Sequence, residues 1–181
     1  RRRIRIRRTS NRVNKELDLN FYIMNSHHTV AIGTWEGDKQ QSIEYNSSIA
    51  VGIDCPRAKL RVSILLDTIQ EYQVRYIFSD EEISEAVNEA GLIIGARGIA
   101  YEGVLQRKPV IVVGEYGFGG LVTPDTLHEQ YNNYFRGKIN GIKAEYFSLE
   151  RLEEEIRRGF ALTFQELQMM SNQTIRFLHN I

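Results

Sequence analysis

The sequence predicts an α/β domain built on a doubly wound, mostly parallel sheet flanked by helices. Three observations predict it. Two continuous apolar runs, Leu92-Ile93-Ile94 and Val110-Ile111-Val112-Val113, read as strands covered on both faces. Between them lie a glycine turn, residues 95–98, and one helical stretch, residues 99–107; that is room for a single crossover helix, so the strands lie parallel. Strand and helix patterns alternate across residues 49–147. Ligands of such sheets bind outside the carboxyl ends of the strands. Two glycine-bearing segments leave the sheet there: residues 95–98 and residues 114–120.

Composition narrows the class. A chain of 181 residues, 42% hydrophobic, suffices for one well-buried domain and is short for two. No apolar run reaches the roughly 18 residues of a membrane span, no signal-peptide pattern is visible, and the single Cys55 has no partner for an internal disulfide. A reducing cytoplasm is the expected location. The formal charge of zero hides an asymmetry. Seven arginines and no acid occupy residues 1–12, which leaves 16 basic against 23 acidic residues elsewhere, a net of −7. A nucleic-acid binder carries its basic face on the folded body, so no specific nucleic-acid partner is expected.

The elements follow in order. Residues 1–20 form a basic N-terminal segment, and residues 21–181 are read as a single α/β domain. In the run from Arg1 to Arg8, Ile4 and Ile6 alternate with arginine, as in an edge strand with one apolar face. The run is either a solvated strand or linker remnant, or a site of attraction to an anionic membrane, each arginine near a charged surface contributing of order 1 kcal/mol. Peripheral membrane attachment is therefore an option. The chain begins without Met, which suggests a piece of a longer protein.

Residues 21–24, 29–35 and 48–54 are candidate strands, the last two separated by the polar stretch 36–41. A helix over 58–72 carries Leu60, Ile64, Leu65 and Ile69 on one stripe. Residues 74–78 form a strand, and Ser79 with Glu82 makes a capping box for a helix over 80–90. In the central helix Tyr101, Val104 and Leu105 share a face, and Lys108-Pro109 stops it. Thr123-Pro124 opens a helix reaching Phe135. Residues 137–141 are a loop and 144–147 a short strand; Ser148 caps a charged helix to Arg158, and 160–180 form a long amphipathic helix.

Few residues invite chemistry. Gly95, Arg97 and Gly98 stand at a strand end feeding a helix, where free amides and the helix dipole favour a phosphate and a guanidinium fork adds to it. The same residues also suit a plain turn whose glycines serve geometry. Glu102 near that mouth is either a ribose ligand or an acid complementing the helix dipole. Neither GxGxxG nor GxxxxGK[ST] is present. His27-His28 with Cys55 lacks the i, i+4 spacing of a zinc motif, so no metal is expected.

The run from Ala90 through Gly95-Ala96-Arg97-Gly98 to Glu102, with Pro109 and the strand Val110-Ile111-Val112-Val113 seven residues later, resembles the nucleotide-sugar-binding half of GT-B glycosyltransferases. The nearest likeness is to the group of the peptidoglycan N-acetylglucosaminyltransferase, over residues 58–158. The resemblance implies a UDP-sugar substrate, with Glu102 on its ribose. Glu129-Gln130-Tyr131-Asn132-Asn133 is similar to the family's Gln-x-x-Asn helix, which implies Gln130 and Asn133 beside the donor sugar. It also implies that segment 114–123, with Gly119 and Gly120, faces the diphosphate and sugar. Ile99 and Ala100 stand where the family carries small Ser or Thr. No cofactor beyond the substrate is implied, and an acceptor domain is expected outside this chain. Nucleotide-sugar 2-epimerases use a similar half. The catalytic base stays open among Glu115, Asp125 and His128. A non-catalytic α/β module binding a ligand or a protein is the alternative.

Overall fold

A computed structural model describes residues 21–22, 29–34, 41–143 and 145–179. The arginines of residues 1–12, His27, His28, Met24, Trp35 and Asn180, on which sequence expectations fall, lie outside the described residues. Three short strands come first: β1 (Phe21–Tyr22), β2 (Thr29–Thr34) and β3 (Gln41–Asn46), an antiparallel sheet in the order β1-β2-β3. β3 was not anticipated. Its Ile43 and Tyr45 alternate with polar residues, the period of a strand, but too few apolar positions mark it.

The second sheet is the expected one. β4 (Ser48–Gly52), β5 (Gln73–Tyr76), β6 (Leu92–Gly95), β7 (Val110–Gly114) and β8 (Gly117–Leu121) assemble in the order β5-β4-β6-β7-β8. The first four are mutually parallel, and only β8 runs antiparallel, against β7. β6 and β7 are buried throughout, as their uninterrupted apolar runs require. Among the described residues the α-helices are α1 (Pro56–Ile69), α2 (Ile83–Glu89), α3 (Gly98–Leu105), α4 (Leu127–Asn132), α5 (Leu149–Phe160) and α6 (Phe164–His179). Neighbouring residues of one strand show that helices cover both faces. A Cβ on Gly103 of α3 would meet Ile93, whereas one on Gly159 of α5 would meet Leu92. The architecture is Rossmann-like.

Several expectations need correction. The buried stripe of α1 is Ala58, Val62, Leu65 and Leu66, while Leu60 and Ile64 are exposed. Ala58 is small, and the true phase is visible only once it counts as core. Ser79 makes no side-chain cap; Glu82 instead accepts the Phe78 amide at 3.4 Å, and the segment opens as a 3-10 turn over Asp80–Glu82. Gly114–Gly120 is not an open loop, because Gly117–Leu121 returns as β8. α4 starts at Leu127, three residues after Pro124, because Thr123 and Thr126 bond each other reciprocally across the turn. Glu145 and Tyr146 lie in a turn, not a strand, and Ala144 lies outside the described residues. The long C-terminal helix begins at Phe164, where Thr163 and Glu166 form a reciprocal capping pair. Ser148 caps α5 as expected, accepting from the Arg151 amide at 3.3 Å.

Candidate functional site

Three adjacent parallel strands release a charged residue at the same edge. Asp54 lies two residues beyond β4, Arg97 two beyond β6, and Glu115 directly after β7. Gly52 pairs with Gly95, and Gly95 with Val112, so the three charges stand side by side. The chain leaves β4 for β5 on one side and then returns to β6 on the other. The crevice between β4 and β6 is thus the topological switch point, where open α/β sheets bind ligands.

Arg97 sits on a sharp strand-to-helix elbow, with φ 54° and ψ −124°. A side chain rarely adopts this region, and holding one there costs of order 1–3 kcal/mol. The surroundings enforce it. The Arg97 amide donates to the Phe135 carbonyl at 3.0 Å, and the Ala96 amide to the Gly52 carbonyl at 3.2 Å. Gly95 must be glycine, since a Cβ there would lie 2.5 Å from the Gly52 oxygen. The expected cradle of free amides across 95–98 is therefore narrower. Ala96 and Arg97 are engaged, and the first-turn amides of α3 from Gly98 onward are those without an intrahelical acceptor. Ile99 packs over both strand ends: Cβ atoms at Gly52 and Gly95 would meet its methyl groups at 2.7 and 2.6 Å.

The side chains form a ladder. Arg97 Nη2 donates to Glu115 Oε2 at 2.8 Å, and Arg97 Nε lies 3.6 Å from Asp54 Oδ2. The other Glu115 oxygen lies 3.2 Å from Arg136 Nε. Arg136 Nη1 donates to the Tyr116 hydroxyl at 3.3 Å. That bond, helped by the Glu115 charge and opposed by burial, holds the guanidinium above its ordinary pKa. The Arg136 guanidinium also lies 5.9 Å from the Tyr116 ring and 5.8 Å from the Tyr134 ring. Two arginines and two carboxylates leave the ladder neutral. Phe78 extends the same edge beyond β5, exposed, with Lys59 Nζ 3.9 Å above its ring.

The remaining sequence candidates are placed differently. Glu102 lies past the first turn of α3, which holds no acid, and its Oε1 accepts from Gln106 Nε2 at 2.7 Å. Gln130 is buried, and its Nε2 donates to the Gly119 carbonyl at 2.9 Å, fastening α4 to β8. Gly120 packs beside the buried Glu155. Gly119, Gly120 and Gln130 thus meet one another or the core, and the diphosphate-facing loop expected there is a packed strand. Asn133 caps α4, and its carbonyl accepts the Arg136 amide at 3.1 Å. Gly95, Arg97 and Gly98 do share the edge. Of the three candidate bases, Glu115 joins the ladder; Asp125 is exposed in the turn before α4, and His128 lies edge-on to Phe177 at 5.7 Å.

Sequence reasoning missed Asp54, Tyr116, Tyr134 and Arg136. Asp54 is the first charge after a buried strand, a usable signal, but the strand expected over 48–54 includes it, whereas β4 ends at Gly52. Nothing local marks Arg136 or Tyr134. A surface concavity of ≈ 470 Å³ lined by Ser48, Gln73, Arg75 and Glu89 lies at the amino ends of β4 and β5, the edge opposite the switch point, so the fold argues against it as the ligand site. Among the described residues, no group of three or more His, Cys, Asp or Glu could hold a metal ion, and no helix is long and apolar enough to cross a membrane. Compared with known proteins, the chain matches no family model, no curated protein and no solved structure.

Proposed function

We propose that this domain binds the diphosphate of a nucleotide-sugar, with UDP as its nucleotide, across the carboxyl edge of its parallel sheet, as the donor half of a GT-B-like glycosyltransferase. One observation carries the reading: Arg97 stands on a strained elbow at the switch point, immediately before the free amides of α3. A strained non-glycine residue presenting a fixed cation beside a helix N-terminus suits a multiply charged phosphate group. In sugar transfer the bond from the anomeric carbon to the diphosphate breaks as a bond to an acceptor oxygen forms. The chain's part is to stabilise charge gathering on the leaving diphosphate, through Arg97 and the amides from Gly98 onward. Glu102 remains the ribose ligand of this proposal, which requires Gln106 to release or share its carboxylate. The acceptor site belongs to a further domain, the catalytic base stays unassigned, and a cytoplasmic, membrane-peripheral setting goes with the reading.

A non-catalytic module is favoured by one observation, the exposed aromatics Phe78, Tyr116 and Tyr134 along a neutral edge. Calorimetric titration with UDP, UDP-sugars and uridine separates the two. The donor reading expects UDP binding that weakens about 10- to 150-fold in Arg97→Ala, the equivalent of one lost charged hydrogen bond of roughly 1.5–3 kcal/mol. Equal affinity in both proteins rejects it.

A further inference from the structure

We propose that Glu115 is a built-in competitor for the anion bound at this edge, holding Arg97 and Arg136 together until a diphosphate group replaces it. The proposal rests on the reading of the edge as a diphosphate site. One carboxylate divides its two oxygens between arginines from separate segments, at 2.8 Å to Arg97 Nη2 and 3.2 Å to Arg136 Nε. Both arginines have fixed mountings. The Arg97 amide is held by the Phe135 carbonyl, and the Tyr116 amide donates to the Arg136 carbonyl at 2.9 Å. A Cβ on Gly114 would lie 2.5 Å from that same Arg136 oxygen, so the two backbones are in direct contact. The backbones that carry the two arginines are thus held against each other, and the single Glu115 carboxylate spans their guanidinium groups.

A phosphate offers the same paired acceptors as a carboxylate, with more charge. The incumbent is easily displaced. Glu115 is 40% exposed on a turn, and exposed pairs of this kind contribute little. The pairing is also imperfect: Arg136 Nε is buried, and although it lies within ion-pair distance it makes no aligned hydrogen bond. A tetrahedral anion presents oxygens in directions that a planar carboxylate does not. With Glu115 turned out, Arg97 and Arg136 face the ligand with Asp54 alone opposing them, and the ladder changes from neutral to net positive.

Titration of the full chain with inorganic pyrophosphate, UDP and uridine tests this in the wild type, Glu115→Gln, Glu115→Ala, Arg97→Ala and Arg136→Ala. Removing the competitor should tighten pyrophosphate and UDP binding roughly 3- to 10-fold, the combined effect of two exposed pairs, and leave uridine unchanged. Both Glu115 variants should move in the same direction, so a packing fault in one does not decide the outcome. Equal or weaker binding by both, with Arg97→Ala and Arg136→Ala still impaired, overturns the competitor role and leaves the site reading standing. Unimpaired binding by the two arginine variants, or no binding by any protein, overturns the site reading and the competitor with it.

Discussion

The amide of Arg97 donates to the carbonyl of Phe135 at 3.0 Å, and both residues hold positive φ, 54° and 51°. Two strained turns, one before α3 and one after α4, are locked to each other by this bond. The elbow therefore does not depend on its own sequence alone, and the strain is maintained by the segment that also carries Arg136.

That strain can be separated from the charge it presents. Arg97→Gly and Arg97→Ala both remove the guanidinium, but only glycine accepts φ 54° and ψ −124° freely. Arg97→Gly should be more stable than Arg97→Ala by about 1 kcal/mol, the relief being partly offset by the greater freedom of glycine in the unfolded chain. Urea midpoints of the two variants measure it. Equal stabilities would mean the elbow is unstrained.

Glu155 is the one acid of α5 that is fully buried, and it is a structural bolt. Its Oε2 accepts the Leu121 amide of β8 at 3.0 Å, while Oε1 takes Arg151 at 2.7 Å and Arg158 at 3.2 Å. Glu155→Ala leaves the buried amide without an acceptor and should cost about 3 kcal/mol. Glu155→Gln, which keeps an acceptor oxygen, should lose about half as much. Chemical denaturation with unchanged m-values is the check, and a loss under about 1 kcal/mol in the alanine variant would refute the bolt.

Alkaline stability should report on Tyr72. Its ring stacks on Phe160 at 5.8 Å, and burial, then Glu71, then Glu153 raise its pKa above 10.0. The folded state therefore holds the phenolic proton more tightly than the unfolded one. The resulting stability is fully present below pH 10.0 and is lost as pH rises through the folded pKa. Tyr72→Phe keeps the stack and removes the titration, so wild type should lose stability relative to the variant above that pH. Parallel urea curves for the two proteins at neutral and alkaline pH would show it; a constant difference would not.

What the sequence by itself determined is the parallel α/β frame and the carboxyl edge at which its central strands end. Leu92-Ile93-Ile94 and Val110-Ile111-Val112-Val113 are apolar without alternation, and burial on both faces is a property such runs state locally. Gly95 and Gly98 likewise announced a strand-to-helix turn, and Arg97 came with them. Tertiary structure alone decided the rest. Whether Gly114–Gly120 stays open or folds back as β8 depends on partners far along the chain, Gln130 behind Gly119 and Glu155 beside Gly120. The resemblance puts Gln130 beside a sugar and the fold has it fastening α4 to β8; a glutamine in either role is the same residue in a sequence. Arg136 and Glu115 are distant neighbours that meet only after α4 has brought the chain back to the edge. A side chain's pairing is set by which elements converge on it, and that is a property of the packed sheet rather than of any local stretch.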